Sequence, residues 1–156
     1  MVPRIVVNEF HSNVVTLVGM TGLRDELVRN RHSVAEQGKQ EILRSFPAYD
    51  PAFAEEWAKR MEKMPVDDYL SVVVQVYEKN YTNDEILEMI QVQKDLSSAK
   101  EPVLSLGLRA KLAKVAETVE GEINSGFAEL GSKQGQDIGL QVAKEHPEWV
   151  KSGDAR

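Results

Sequence analysis

The chain reads as all-α, a single helical domain over residues 1–150 with a short tail at 151–156. Three observations predict this. Apolar residues recur three and four positions apart through nearly every segment, the signature of one helical face. Thr82-Asn83-Asp84-Glu85 matches a capping box, in which a Thr hydroxyl and a Glu side chain each satisfy the other residue's backbone N–H. Pro47 and Pro147 follow long periodic runs, and the residue before a proline is pushed away from helical geometry. Together they give a bundle of about six helices with a long C-terminal one, continuous or kinked.

The first helix is carried by Val7, Phe10, Val14, Leu17 and Val18, with Gly19 and Gly22 as punctuation. Its β-branched start, Ile5-Val6-Val7, also suits a short strand or an extended arm. Leu23, Leu27, Val34, Ile42 and Phe46 predict a second helix that stops before Pro47. Asp50-Pro51 opens a third as N-cap and first helical residue, where the missing proline donor costs nothing. Phe53, Trp57, Met61 and Met64 form its seam.

A fourth helix starts at Pro65, with Asp67 and Asp68 complementing the dipole of its first turn. Val72-Val73-Val74 alone suggests a strand, but Val66, Tyr69, Leu70, Val73, Val76, Tyr77 and Tyr81 keep helical spacing. Thr82 caps a fifth helix with Ile86, Met89, Ile90 and Leu96 inward. From about Pro102 to His146 one stripe runs from Leu108 through Val119 and Phe127 to Val142. Gly121, Gly126, Gly131, Gly135 and Gly139 interrupt it, each costing about 0.8–1.0 kcal/mol relative to Ala. Close packing of another helix against Gly131, Gly135 and Gly139 is one reading. A break or kink is the other.

Charge and composition narrow the function. Net charge of −6 and pI near 5.2 argue against a nucleic-acid surface, and the Lys and Arg residues are interleaved with acids. With no Cys there is no disulfide and no thiolate ligand or nucleophile. The longest apolar run, Val14 to Met20, falls far short of the roughly 20 residues a membrane span needs, so stable membrane insertion is not expected.

The search for chemistry returns little. His11, His32 and His146 stand too far apart for a His-Glu-x-x-His zinc site and lack the Glu three residues before that di-iron bundles use. Asp84, Glu85 and Glu88 form an acidic group whose place in a first helical turn is explained by capping and dipole. Ser97-Ser98 lacks the glycines of a nucleophile elbow, and the glycines of the last helix match no phosphate loop. No catalytic, metal or cofactor site is expected. Tyr69, Tyr77 and Tyr81 recur on one face of the fourth helix. As core, they send their phenols to the rim. As a site, Trp57, Tyr69, Tyr77 and Met89 make a cleft for a small amphipathic or hydrophobic ligand.

The segment Val76-Tyr77-Glu78-Lys79-Asn80-Tyr81-Thr82-Asn83-Asp84-Glu85-Ile86 resembles the bacterial domain-of-unknown-function family numbered 2059. That family carries a tyrosine, an aromatic-threonine pair and acids opening a helix; Tyr77, Tyr81-Thr82, Asp84-Glu85 and Ile86 occupy those places. Val14-Val15-Thr16-Leu17-Val18 before Gly22-Leu23 is similar to its leading helix. After the capping box the chain departs, with Val92-Gln93 and Ser97-Ser98 where the family has an aromatic pair and a Ser-Pro step. The resemblance implies an all-helical protein exported to the periplasm or secreted, with no established activity. The resulting expectation is a non-enzymatic protein acting through a protein partner or self-association, the ligand-binding module being the alternative.

Overall fold

Helix boundaries fall largely where the capping chemistry sets them. The computed structural model describes the backbone of residues 4–150 and the side chains of residues 9–150; the 151–156 tail lies outside the described residues. The helices are α1 (Arg4–Met20), α2 (Leu23–Ser45), α3 (Pro51–Glu62), α4 (Asp67–Asn80), α5 (Asn83–Ser97), α6 (Leu106–Glu145) and α7 (Pro147–Val150). Among the described residues 85% are helical and none is in a strand. Ile5-Val6-Val7 is helix, not an arm. Asp50 caps α3 by accepting from the Ala52 N–H at 3.0 Å, with Pro51 at the first helical position. The box at Thr82 closes on both sides: Thr82 N–H donates to Glu85 Oε1 at 2.8 Å and Glu85 N–H to Thr82 Oγ1 at 3.3 Å.

Some boundaries differ from expectation, among them the start of α6 at Leu106 instead of about Pro102. α4 begins at Asp67, and Pro65-Val66 stays outside it. Beyond Pro147 the chain makes one more helical turn, α7, with that proline as its first residue. α6 runs unbroken for 40 residues despite its glycines.

The described residues divide into two compact units, one holding the chain up to Asp25 with Asp67–Phe127, the other Glu26–Val66 with Ala128 onward. Each has its own apolar cluster, where the sequence suggested one core.

In the first unit α1 packs on α4 and α5. Val14, Leu17 and Val18 of α1 meet Val73, Val74 and Val76 of α4, and Ile86 and Ile90 of α5, all buried. Each such side chain contributes about 1.5–3 kcal/mol of transfer free energy. Gly126 of α6 lies against Val72: a methyl group there would sit 2.5 Å from Val72 Cγ1, so only glycine permits this approach. Leu96, expected inward, is 56% exposed at the end of α5.

In the second unit Phe53, Trp57, Ala58 and Met61 of α3 pack with Ala35 of α2 and Ile138 and Val142 of α6. Ala35 takes the inward place expected of Val34, which is exposed. The small side chain lets α2 come close to its neighbours. Gly38 and Gly135 bring backbone to the Trp57 ring, and a methyl group on Gly139 would lie 4.0 Å from Phe53 and Trp57. Close packing, the first of the two readings of the glycine series, is what the structure has at Gly135 and Gly139. Asp50 N–H donates to the Trp149 carbonyl at 2.8 Å, tying α7 to the start of α3.

Candidate functional site

The four residues singled out as a cleft are divided between the two units. Trp57 belongs to the second unit's core, where its Nε1–H donates to the Gly135 carbonyl at 2.9 Å. Tyr69, Tyr77 and Met89 lie in the first unit. Tyr77 and Met89 pack against its core, with Tyr77 edge-on to Tyr81 at 5.5 Å, while Tyr69 meets Phe127 edge-on at 5.2 Å. Burial pushes the Tyr69, Tyr77 and Tyr81 phenols above their ordinary value. Tyr81 is buried in that core.

The acidic group is likewise committed to structure. Glu85 completes the capping box and also accepts from Lys111 Nζ at 3.2 Å. The Thr82 N–H, then Lys111, hold its carboxyl below the usual value. Glu88 reaches from α5 to the start of α6, accepting from Ser105 N–H at 2.7 Å and Ser105 Oγ at 2.9 Å. Ser105 Oγ in turn accepts from Leu108 N–H at 3.1 Å. Glu88 thus supplies from another helix the carboxylate that a capping box takes from its own third residue, which in α6 is Leu108.

A concave site exists elsewhere in the first unit. Between α1, α4 and the α1–α2 turn is an open groove of about 480 Å³, within the range of small-molecule sites. Helical spacing builds both walls. His11, Val15, Val18 and Gly19 share one face of α1, and Leu70, Ser71, Val74 and Gln75 share one face of α4. Val18 and Val74 are buried as its floor, while Val15 is half exposed as a wall. Gly22, at φ +75°, turns the chain into α2, and Thr21 Oγ1–H donates to the Val18 carbonyl at 2.7 Å. Gly19 leaves its wall bare; a methyl group there would have nothing within 4 Å.

The rim is polar. Arg24 Nη2 donates to Asp67 Oδ1 at 2.5 Å, both side chains more than half exposed. Asp25 is exposed and has no partner among the described residues. His11 Nδ1 lies 2.7 Å from Glu78 Oε1, a contact in which the carboxylate accepts. A ring oriented by a carboxylate is two-thirds of a nucleophile relay. Ser71 lines the same groove, but its hydroxyl makes no hydrogen bond to that ring, so the relay is not assembled. Among the described residues no group of three His, Asp or Glu is placed to hold a metal ion. The arrangement suits holding a molecule with an apolar body and a polar end.

Sequence reasoning missed this groove. Its signal was present in the paired i, i+4 faces, His11/Val15/Gly19 and Leu70/Val74, but only packing tells which helices face each other. Comparison with known proteins finds no matching family model, curated protein or solved structure. No helix among the described residues is long and apolar enough to cross a membrane.

Proposed function

We propose that this chain is a non-enzymatic binding protein whose site is the α1–α4 groove, taking a small amphipathic ligand. One observation carries the reading: a concavity of suitable volume with an apolar floor at Val18, Leu70 and Val74 and polar groups converging on its rim. Saturable backbone shifts on titration of the ¹⁵N-labelled protein with n-octanol, confined to the groove walls, are expected. Gly19→Leu puts a side chain on the bare wall, where its Cβ meets nothing within 4 Å, and should abolish them. Shifts that do not saturate, or that map away from α1 and α4, would overturn the reading.

A second reading, association with a protein partner or a second copy, draws support from Val103 and Leu106, each 81% exposed next to the start of α6. Concentration-dependent sedimentation that Leu106→Glu removes would favour it. We also infer, from the resemblance carried by Val76–Ile86 and by Val14–Val18 before Gly22-Leu23, that the protein is a divergent member of family 2059 and is exported to the periplasm or secreted. Recovery of the native gene product only from the cytoplasmic fraction would refute the export.

A further inference from the structure

The groove has a charge preference. Its charged lining is Arg24, Asp25 and Asp67, an excess of one carboxylate before His11 is counted, and His11 is already turned to Glu78. Arg24 is engaged with Asp67, leaving Asp25 as the charged group without a partner.

The helix termini point the same way. The C-terminal end of α1, with Gly19, lines the groove, and α1 has no basic residue in its last turn. A helix C-terminus carries about half a negative charge and favours a cation beside it. The N-termini of α4 and α2 also face the groove but are complemented, α4 by its own Asp67 and Asp68 and α2 by Asp25 in its first turn. An anion entering the groove would meet Asp25 and the carbonyl end of α1, and would share Arg24 with Asp67. A cation meets the first two favourably and displaces nothing.

We infer that the ligand class of this groove is the cationic amphiphile, an alkyl- or arylammonium compound whose hydrocarbon lies on Val15, Val18, Leu70 and Val74 with its nitrogen at Asp25 and the α1 C-terminus. This rests on the reading of the groove as a small-ligand site. The test compares three probes with the same chain, n-octylammonium, n-octanol and n-octanoate, by groove amide shifts at neutral pH and constant ionic strength. Octylammonium should bind about three- to fivefold more tightly than octanol, the scale of a partly exposed ion pair, and octanoate more weakly than octanol. Asp25→Asn should remove the preference for octylammonium over octanol. Equal binding of octanol and octylammonium, or tighter binding of octanoate, would overturn the cation assignment while leaving the groove intact. Saturable binding by none of the three would overturn both. Gly19→Leu should abolish octylammonium binding, and its survival would place the cation elsewhere and sink the inference.

Discussion

The Trp57 indole N–H donates to the Gly135 carbonyl at 2.9 Å, and that bond fixes the ring against α6. Its far edge meets α2, where a methyl group on Gly38 would lie 2.2 Å from Cη2. On α6 a methyl group at Gly135 would lie 3.3 Å from Cζ2. The ring has backbone on two helices as its neighbours, so two glycines on different helices are explained by one side chain.

Gly38→Ala should therefore destabilise the protein by about 1–3 kcal/mol through overpacking, outweighing a helix-propensity gain of up to about 1 kcal/mol. Gly135→Ala should act in the same direction but less, because its contact is looser and the anchored ring gives only slightly. Urea unfolding measures both. A raised midpoint for Gly38→Ala would show that the indole is not held there.

Thr82→Ala removes one half of a closed capping box and should cost about 0.5–2 kcal/mol. An unchanged denaturation midpoint would mean the box contributes nothing in solution.

The Glu88–Ser105 cap gives a coupling prediction. Glu88→Ala and Ser105→Ala should each cost about 1 kcal/mol, and the double variant less than their sum, since both changes break the bond from the Ser105 hydroxyl to Glu88, while the Ser105 N–H bond is lost only with Glu88 and the Leu108 N–H bond only with Ser105. Strict additivity in a double-mutant cycle would refute a shared cap.

Acid should weaken the fold through Glu85. Its carboxyl is held below the ordinary 4.5, first by the Thr82 N–H and then, against an opposing desolvation, by Lys111 and the Thr82 hydroxyl. The native state therefore binds fewer protons than the unfolded one. The stabilisation is present in full above pH 4.5 and is lost as pH falls through the lowered folded value. The stability difference between wild type and Glu85→Gln should be flat near neutrality and shrink below pH 4.5. A difference independent of pH down to 3 would contradict it.

Ala99, just past α5, sits at φ 57°, where an L side chain is strained by about 1–2 kcal/mol. Ala99→Gly should raise stability by up to about 1 kcal/mol, after the entropy that glycine adds to the unfolded chain. A lower melting temperature would show that the αL conformation is not occupied.

Local chemistry made much of this fold readable in sequence. Asp50-Pro51 and Thr82-x-x-Glu85 carry their donors and acceptors within one helical turn, so their geometry follows from residue identity alone. The inward faces of α1, α3 and α4 were readable because a 3.6-residue period selects one stripe wherever the apolar residues are large. Val34 and Leu96 broke that rule, since burial depends on which neighbour is present, and Ala35 instead of Val34 faces one. The continuity of α6 was not readable, because a glycine's helical cost is local while its compensation, Val72 against Gly126 or Trp57 against Gly135, comes from residues far away in the chain. The carboxylate of Glu88 at the head of α6 and the groove between α1 and α4 have the same character. Caps closed within one helical turn, and the inward stripes of α1, α3 and α4, were decided by the sequence by itself. Partners across helices, and with them the candidate site, were decided only by tertiary packing, because a side chain's neighbours there are set by the approach of whole helices and not by spacing along one.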